Sequence, residues 1–460
     1  MKHLQALAHW VANPPAIPPA ATARAQMAIT DMLGVTLAGA RELVSQLIAM
    51  HVAATSQGNA TIIATGAKVS AADAALANAT AGHALDYDDS NFTLGGHPTV
   101  TLTPALLAIA ETHHKSGAEI LDAYVVGFEI IMRLARAMNF EHYEKGWHPT
   151  ATLGVFGVTA AVSRLLRLNE TQTLHALALT ASMASGVKAN FGSMAKPLQV
   201  GYASRSGVEC ALLADAGMTA NPAALEAKQG FLNVYNGEGH YRAEEISAFS
   251  NELEIMRSGL MFKKYACCGA THAPIDAALD LRKQYADVRT EDIDAITIAM
   301  NPQRIPHVNR PTVSNGLEGK FSVQYTLAAA LADGKVSLAH FSDAAVARAD
   351  LQNLTARVTP APLEERKSTS SSESLSQQCE VTVKLKNGAT RSVMRAAAEG
   401  RATDDFVPYL EPKFVDCVEQ VASLDIAKCM FLKVSSFNSQ ESIAPLMRAL
   451  VEAQAQAAHP

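Results

Sequence analysis

From Thr22 to about residue 260, apolar residues recur at intervals of three and four in an alanine-rich background, the period of packed α-helices. In residues 116 to 135, Leu121, Tyr124, Val125, Phe128, Met132 and Ala135 form one stripe, and Ser116 with Glu119 has the spacing of a capping box at its start. Asn169 and Gln172 give the same start signal before Leu174, Ala178 and Ser182. Gly34, Ala38, Gly39 and Ala40 line a helix over 24 to 40, where small side chains let a neighbour come close. This part of the chain reads as a helical bundle.

After about residue 262 the period changes. Ile296, Ile298 and Met300 alternate with Thr297 and Ala299, and Val381, Val383 and Leu385 alternate in the same way, as half-buried strands do. Asn387-Gly388 before Thr390 to Met394 predicts a hairpin whose two central turn residues both take positive φ. Ser368 to Ser376 reads as a serine-rich solvated loop. Helical spacing returns from about residue 401, as in Val415, Val418 and Val421. The fold class that follows is mostly α: a large all-helical domain built from residues 1–262 and 401–460, with a smaller α+β domain, 263–400, inserted between them.

A chain of 460 residues is long enough for two domains. With 38 basic and 44 acidic residues its net charge is -6, a field that does not hold a nucleic-acid backbone or an anionic membrane. The longest apolar stretch, Leu153 to Val162, stops at Arg164, short of the ~20 residues of a membrane helix. Gln5, His9 and Asn13 interrupt any signal-peptide core near the start. Cys210, Cys267, Cys268, Cys379, Cys417 and Cys429 lack the paired spacing of a disulfide scaffold or zinc ribbon, so a reducing cytoplasm is the expected location.

Four segments carry the candidate chemistry. HALDYDDS at 83–90 and GGHP at 95–98 bring three carboxylates (Asp86, Asp88, Asp89) and two imidazoles (His83, His97) within fifteen positions, suited either to acid–base work or to capping a solvated loop. GWHPTATLGVFG at 146–157 places His148 before a proline and a glycine-punctuated helix. NFGSMAKPLQVG at 190–201 presents Lys196, with Arg205 further on. MFKKYACCGATHAP at 261–274 gathers Lys263, Tyr265, the adjacent Cys267 and Cys268, and His272 at the proposed domain boundary. Adjacent cysteines chelate one tetrahedral ion poorly, so no metal is assigned there. NGEGH at 236–240 lacks the strand and spacing of a dinucleotide loop, and no cofactor is expected.

In this order, and with KFSVQYTLAAAL at 320–331 as a fifth match, the segments resemble the MmgE/PrpD family over nearly the whole chain. The resemblance implies an all-helical domain from both chain ends, an α+β lid domain and a homodimer. It also implies a small di- or tricarboxylate substrate, handled without a cofactor. Carried over by position, the family pattern falls on Asp86, Ser90, His97, His148, Lys196, Lys263 and Tyr325. Ser90 stands where relatives often have threonine, and Ala266 where proline is common.

The chemistry expected from that resemblance is proton transfer beside a carboxylate. His97, steered by Asp86, exchanges the proton, while His148 and Tyr325 serve the opposite face or the leaving group. Ser90, Lys196, Lys263, Arg205 and His272 bind the substrate, the cations also stabilising enolate-like charge. Dehydration of the 2-methylcitrate type ranks first, epimerisation of an iminodisuccinate-like dicarboxylate second and cis-aconitate-type decarboxylation third. Outside the family stand a catalytically silent binding scaffold and a terpenoid-type synthase reading of DYDD; 6% aromatics and two tryptophans are poor material for the latter's carbocation cavity.

Overall fold

The computed structural model describes residues 2–285, 288–363, 377–400 and 402–456, so the serine-rich segment 368–376 lies outside the described residues. Helix accounts for 59% of the chain and strand for 8%, which makes the protein mostly α with a small mixed sheet. The chain divides into two compact units, residues 1–262 with 402–460, and residues 263–401.

The first unit is built on α1 (Pro19–Gly39), α2 (Ala71–Ala84), α3 (Thr99–His113), α4 (Gly117–Glu144), α5 (Gly154–Leu166), α6 (Ala195–Asp215) and, from the C-terminal segment, α7 (Val407–Val418). Both capping boxes form: Ser116 Oγ accepts from Glu119 N–H while the Glu119 carboxylate accepts from Ser116 N–H, and Asn169 and Gln172 do the same. Small residues let backbones touch. A Cβ on Gly39 would stand 2.1 Å from the Ala81 carbonyl, so α1 and α2 cross at near-backbone contact. Residues 149–166 are long and apolar enough to cross a membrane by composition, and nearly all of that stretch is buried among the other helices, which accounts for its apolarity.

α2 and α6 set the site. A Cβ on Gly201 would meet Thr80 Oγ1 at 2.3 Å and the Leu76 carbonyl at 2.7 Å, so only glycine permits this approach. It carries the first turn of α6 to the C-terminal end of α2.

The second unit holds a four-stranded sheet in the order β2-β1-β3-β4, from β1 (Ile293–Met300), β2 (Val358–Pro362), β3 (Cys379–Leu385) and β4 (Thr390–Arg395). β1 pairs with β2 in parallel and with β3 antiparallel, and buried Ile296, Ile298 and Met300 alternate with Thr297 and Ala299 on the other face. The β3–β4 hairpin forms, but its turn is longer than a two-residue one. Gly388 alone has positive φ (+87°), and its N–H bonds the Leu385 carbonyl at 2.8 Å. Asn387 stays at negative φ because a left-handed glycine after an ordinary turn also matches the strand twist.

Candidate active site

Ser70 opens α2 by accepting from Asp73 N–H, and the helix ends at Ala84. Asp86 then takes φ +52°, the left-handed conformation that an aspartate tolerates after a helix. The chain folds back on itself, and the carboxylates that follow return to the last turn of α2. His83 on that turn bonds Asp88 Oδ2 through Nδ1 at 2.8 Å.

The next loop is tied on both sides. Ser90 exchanges two backbone hydrogen bonds of 2.8 Å with Met261, and Asn91 N–H bonds the Gly96 carbonyl. His97 N–H reaches Thr150 Oγ1 at 3.1 Å, next to His148. The imidazole of His97 places Nδ1 2.6 Å from the Asp89 carbonyl and 3.2 Å from Asp88 Oδ2. A carbonyl only accepts, so Nδ1 carries the proton and Nε2 is the nitrogen that can exchange one. Nε2 faces Asp86 Oδ1 at 3.9 Å. The nearer groups that orient His97 are therefore Asp88 and the Asp89 carbonyl, at Nδ1, while Asp86, the partner the sequence suggests, stands farther off at Nε2. Asp86 is held instead by Lys196, whose ammonium lies 2.5 Å from Oδ1, both groups being buried.

His148 completes the group. Its ring lies 6.0 Å from that of His83 and meets Phe191 edge-on at 4.9 Å. It is 1% exposed, and among the described residues neither ring nitrogen has a hydrogen-bond partner. His83 Nε2 is likewise unpartnered.

Burial acts on each group differently. It holds His148 well below the ordinary imidazole range, with electrostatic interactions with His83, Lys196 and His97 adding to the effect. Burial, helped by Lys196 and His97 against the pull of Asp88, lowers His83 to about 4. His83 is thus neutral near pH 7, with its proton on the Nδ1 that faces Asp88. For Asp88 burial opposes ionisation, but its electrostatic interactions and hydrogen bonds with His83 and His97 outweigh it and keep it ionised. Asp89 goes the other way: burial, with the nearby charges of Asp31 and Asp88, pushes it well up against the hydrogen bond from Thr99. Asp89 accepts from the Thr99 hydroxyl, which in turn contacts Tyr124 at 2.6 Å.

Donor atoms of His83, Asp86, Asp88 and His97 lie within 4.8 Å of one another, close enough by distance to surround a metal ion. The chemistry of the set fits acid–base work better. Lys196 already supplies a cation at Asp86, and the Nδ1 atoms of both histidines are committed to Asp88 or Asp89.

The remaining sequence candidates stand elsewhere. Ser90 Oγ donates to the Met261 carbonyl at 3.3 Å. Arg205 lies nine residues along α6 from Lys196, about 13 Å at helical rise, and pairs with Asp73 at 3.2 Å and Glu209 at 3.0 Å. Asp73 sits at the opposite end of α2 from Asp86, so Arg205, half-buried and ion-paired, stands apart from the group. Lys263, His272 and Tyr325 belong to the second unit, where all three are buried. Tyr325 donates its hydroxyl to the His340 carbonyl at 2.5 Å, and burial raises it to about 12. A phenol engaged in this way is a poor proton carrier. His272 Nε2 lies 3.3 Å from the Cys267 carbonyl, and its ring packs edge-on against Tyr265 at the start of the helix His272–Gln284. All six cysteines are free of disulfides.

His83 and Asp88 are the residues that sequence reasoning left without a role. They lie inside the first motif, but only the reversal at Asp86 turns Asp88 toward both imidazoles.

Known proteins bear on this arrangement. The MmgE/PrpD N-terminal domain matches residues 5–244 and the MmgE/PrpD C-terminal domain residues 265–430. Cis-aconitate decarboxylase from Homo sapiens is 31% identical over 326 residues, covering 69% of this chain and 66% of that protein. Its namesake in Mus musculus is 31% identical over 327 residues, covering 69% and 65%. That of Aspergillus terreus (strain NIH 2624 / FGSC A1156) is 30% identical over 388 residues, 78% of each chain. The chain spans about two thirds of the length of the human and mouse relatives. It belongs to the MmgE/PrpD family.

Proposed function

We propose that the protein is a carboxy-lyase that decarboxylates a cis-aconitate-like tricarboxylate by proton transfer from side chains. The observation that carries this reading is the buried group of His97, Asp88, Lys196 with Asp86, and His148, taken together with relatives that bear the name cis-aconitate decarboxylase. Dehydration, which the motifs rank first, finds no specific support among these relatives.

Loss of carbon dioxide breaks a carbon–carbon bond and leaves its electron pair on carbon, delocalised toward the neighbouring carboxylate. One proton must then reach carbon, so the tricarboxylate and one proton become a dicarboxylate and carbon dioxide. Fixed donors that meet the developing charge are usually the largest catalytic contribution. Lys196 offers a buried ammonium to a substrate carboxylate, exchanging part of its bond to Asp86. His97 Nε2 is placed to deliver the proton, and the negative Asp88 balances the imidazolium from which that proton comes. His148, neutral and buried beside the group, donates a hydrogen bond to the enolate-like oxygen.

Incubation with cis-aconitate and with 2-methylcitrate in deuterated water, followed by proton NMR, tests the reading. The expected product has one carbon fewer and one carbon-bound deuterium. A product of unchanged carbon count from 2-methylcitrate would restore the dehydratase, and methine exchange without a product would point to an epimerase. Either result overturns decarboxylation.

A further inference from the structure

The DYDD loop is gripped from a part of the chain more than three hundred residues away. Lys413, on α7, is 5% exposed, and its ammonium lies 2.7 Å from one oxygen of Asp31 on α1 and 2.9 Å from the other. The same ammonium donates to the main-chain carbonyl of Tyr87 at 2.8 Å and sits 4.1 Å from the centre of the Tyr87 ring.

Tyr87 is the residue between the two carboxylates that do different work. Asp86, at positive φ, points to Lys196, and Asp88 points to His83 and His97. Fixing the Tyr87 carbonyl fixes the peptide plane that leads into Asp88, and so sets how the two side chains diverge. A buried ion pair is weak evidence for stability, because its desolvation offsets its attraction. Here the ammonium has a third acceptor, which a pair built only for stability does not require.

We propose that Lys413, neutralised by Asp31, is a positioning residue of the active site: it holds the Tyr87 carbonyl and thereby sets Asp86 against Lys196 and Asp88 against His97. The inference rests on the acid–base reading of that group.

The test separates position from stability by a double replacement. Lys413→Met alone leaves the Asp31 charge buried without the Lys413 ammonium and is expected to lower both melting temperature and turnover. Asp31→Leu with Lys413→Met removes both charges, which typically leaves stability near or above the wild-type level. The double variant is expected to melt near the wild-type temperature. Its kcat on cis-aconitate should be at least tenfold lower with KM within threefold. Amide hydrogen exchange at residues 86–90 should be faster, while that in α1 and α7 is unchanged.

A purely structural pair would predict recovery of kcat along with melting temperature, and that outcome overturns the proposal. Should the wild-type protein not turn over cis-aconitate, the carboxy-lyase reading fails separately, and exchange decides on its own. Unchanged protection at 86–90 in the double variant then overturns the positioning role.

Discussion

Replacing Asp88 by asparagine isolates the charge that faces both imidazoles. The side chain keeps its volume, but the two acceptor contacts, 2.8 Å to His83 Nδ1 and 3.2 Å to His97 Nδ1, lose their ionic character. A hydrogen bond to a charged group contributes about 1.5–3 kcal/mol and a neutral one about 0.5–1.5 kcal/mol. The exchange at His97 therefore costs about 1–1.5 kcal/mol, realised when His97 carries positive charge, whereas the exchange at the neutral His83 is present throughout. At about 1.4 kcal/mol per tenfold, kcat/KM for carbon dioxide release from cis-aconitate should fall by roughly 5- to 12-fold. The substitution also removes the desolvation cost of a fully buried carboxylate, so the melting temperature should change far less than turnover. Substrate affinity, read by calorimetry, should stay within a few-fold, because Lys196 is untouched. An Asp88→Asn enzyme within threefold of wild type would refute the assignment of Asp88 as the carboxylate that orients His97.

Three further outcomes follow from the same geometry. Gly201→Ala forces α6 away from Thr80 and the Leu76 carbonyl; it should cost about 1–3 kcal/mol in urea unfolding and weaken turnover by displacing Lys196, and an unchanged denaturation midpoint would contradict the close packing. His142 is lowered to about 4, chiefly by burial, and bonds Asn236 and Thr152. The folded state then refuses a proton that the unfolded chain takes up below pH 6.5, so this group's contribution falls between pH 6.5 and 4, by up to about 3 kcal/mol. Stability curves of wild type and His142→Gln should converge across that window, and parallel curves would remove the effect. Prolonged dialysis against EDTA should leave decarboxylation unchanged, because Lys196 is the cation at Asp86; loss of activity restored by a divalent ion would make the four-residue group a metal site instead.

What the sequence makes legible is local. Capping boxes at Ser116 and Asn169 depend on residues three apart, and strand alternation in β1 and β3 depends on neighbours two apart, so both can be read directly. The hairpin after Leu385 is legible for the same reason, while its turn is not, because either loop length satisfies an Asn-Gly pair. Site membership divides along the same line. Motif order points to Asp86, His97, His148 and Lys196, and these four converge within the first unit.

Pairing within the group depends on one backbone angle. With Asp86 left-handed, Asp88 lies nearer His97 than Asp86 does, and nothing in HALDYDDS announces that angle, since aspartate also adopts ordinary conformations. Arg205 shows the converse limit: nine residues along one helix is close in sequence, yet it carries a cation from one end of α2 to the other. Lys413 lies beyond any local pattern. Its partners Asp31 and Tyr87 are 382 and 326 positions away, and an ordinary-looking lysine in a C-terminal helix becomes informative only when the acceptors around its ammonium are known. Residue types that chemistry requires can thus be found from sequence, whereas the groups that aim them are set by tertiary contacts, and the two kinds of residue call for different variants in the laboratory.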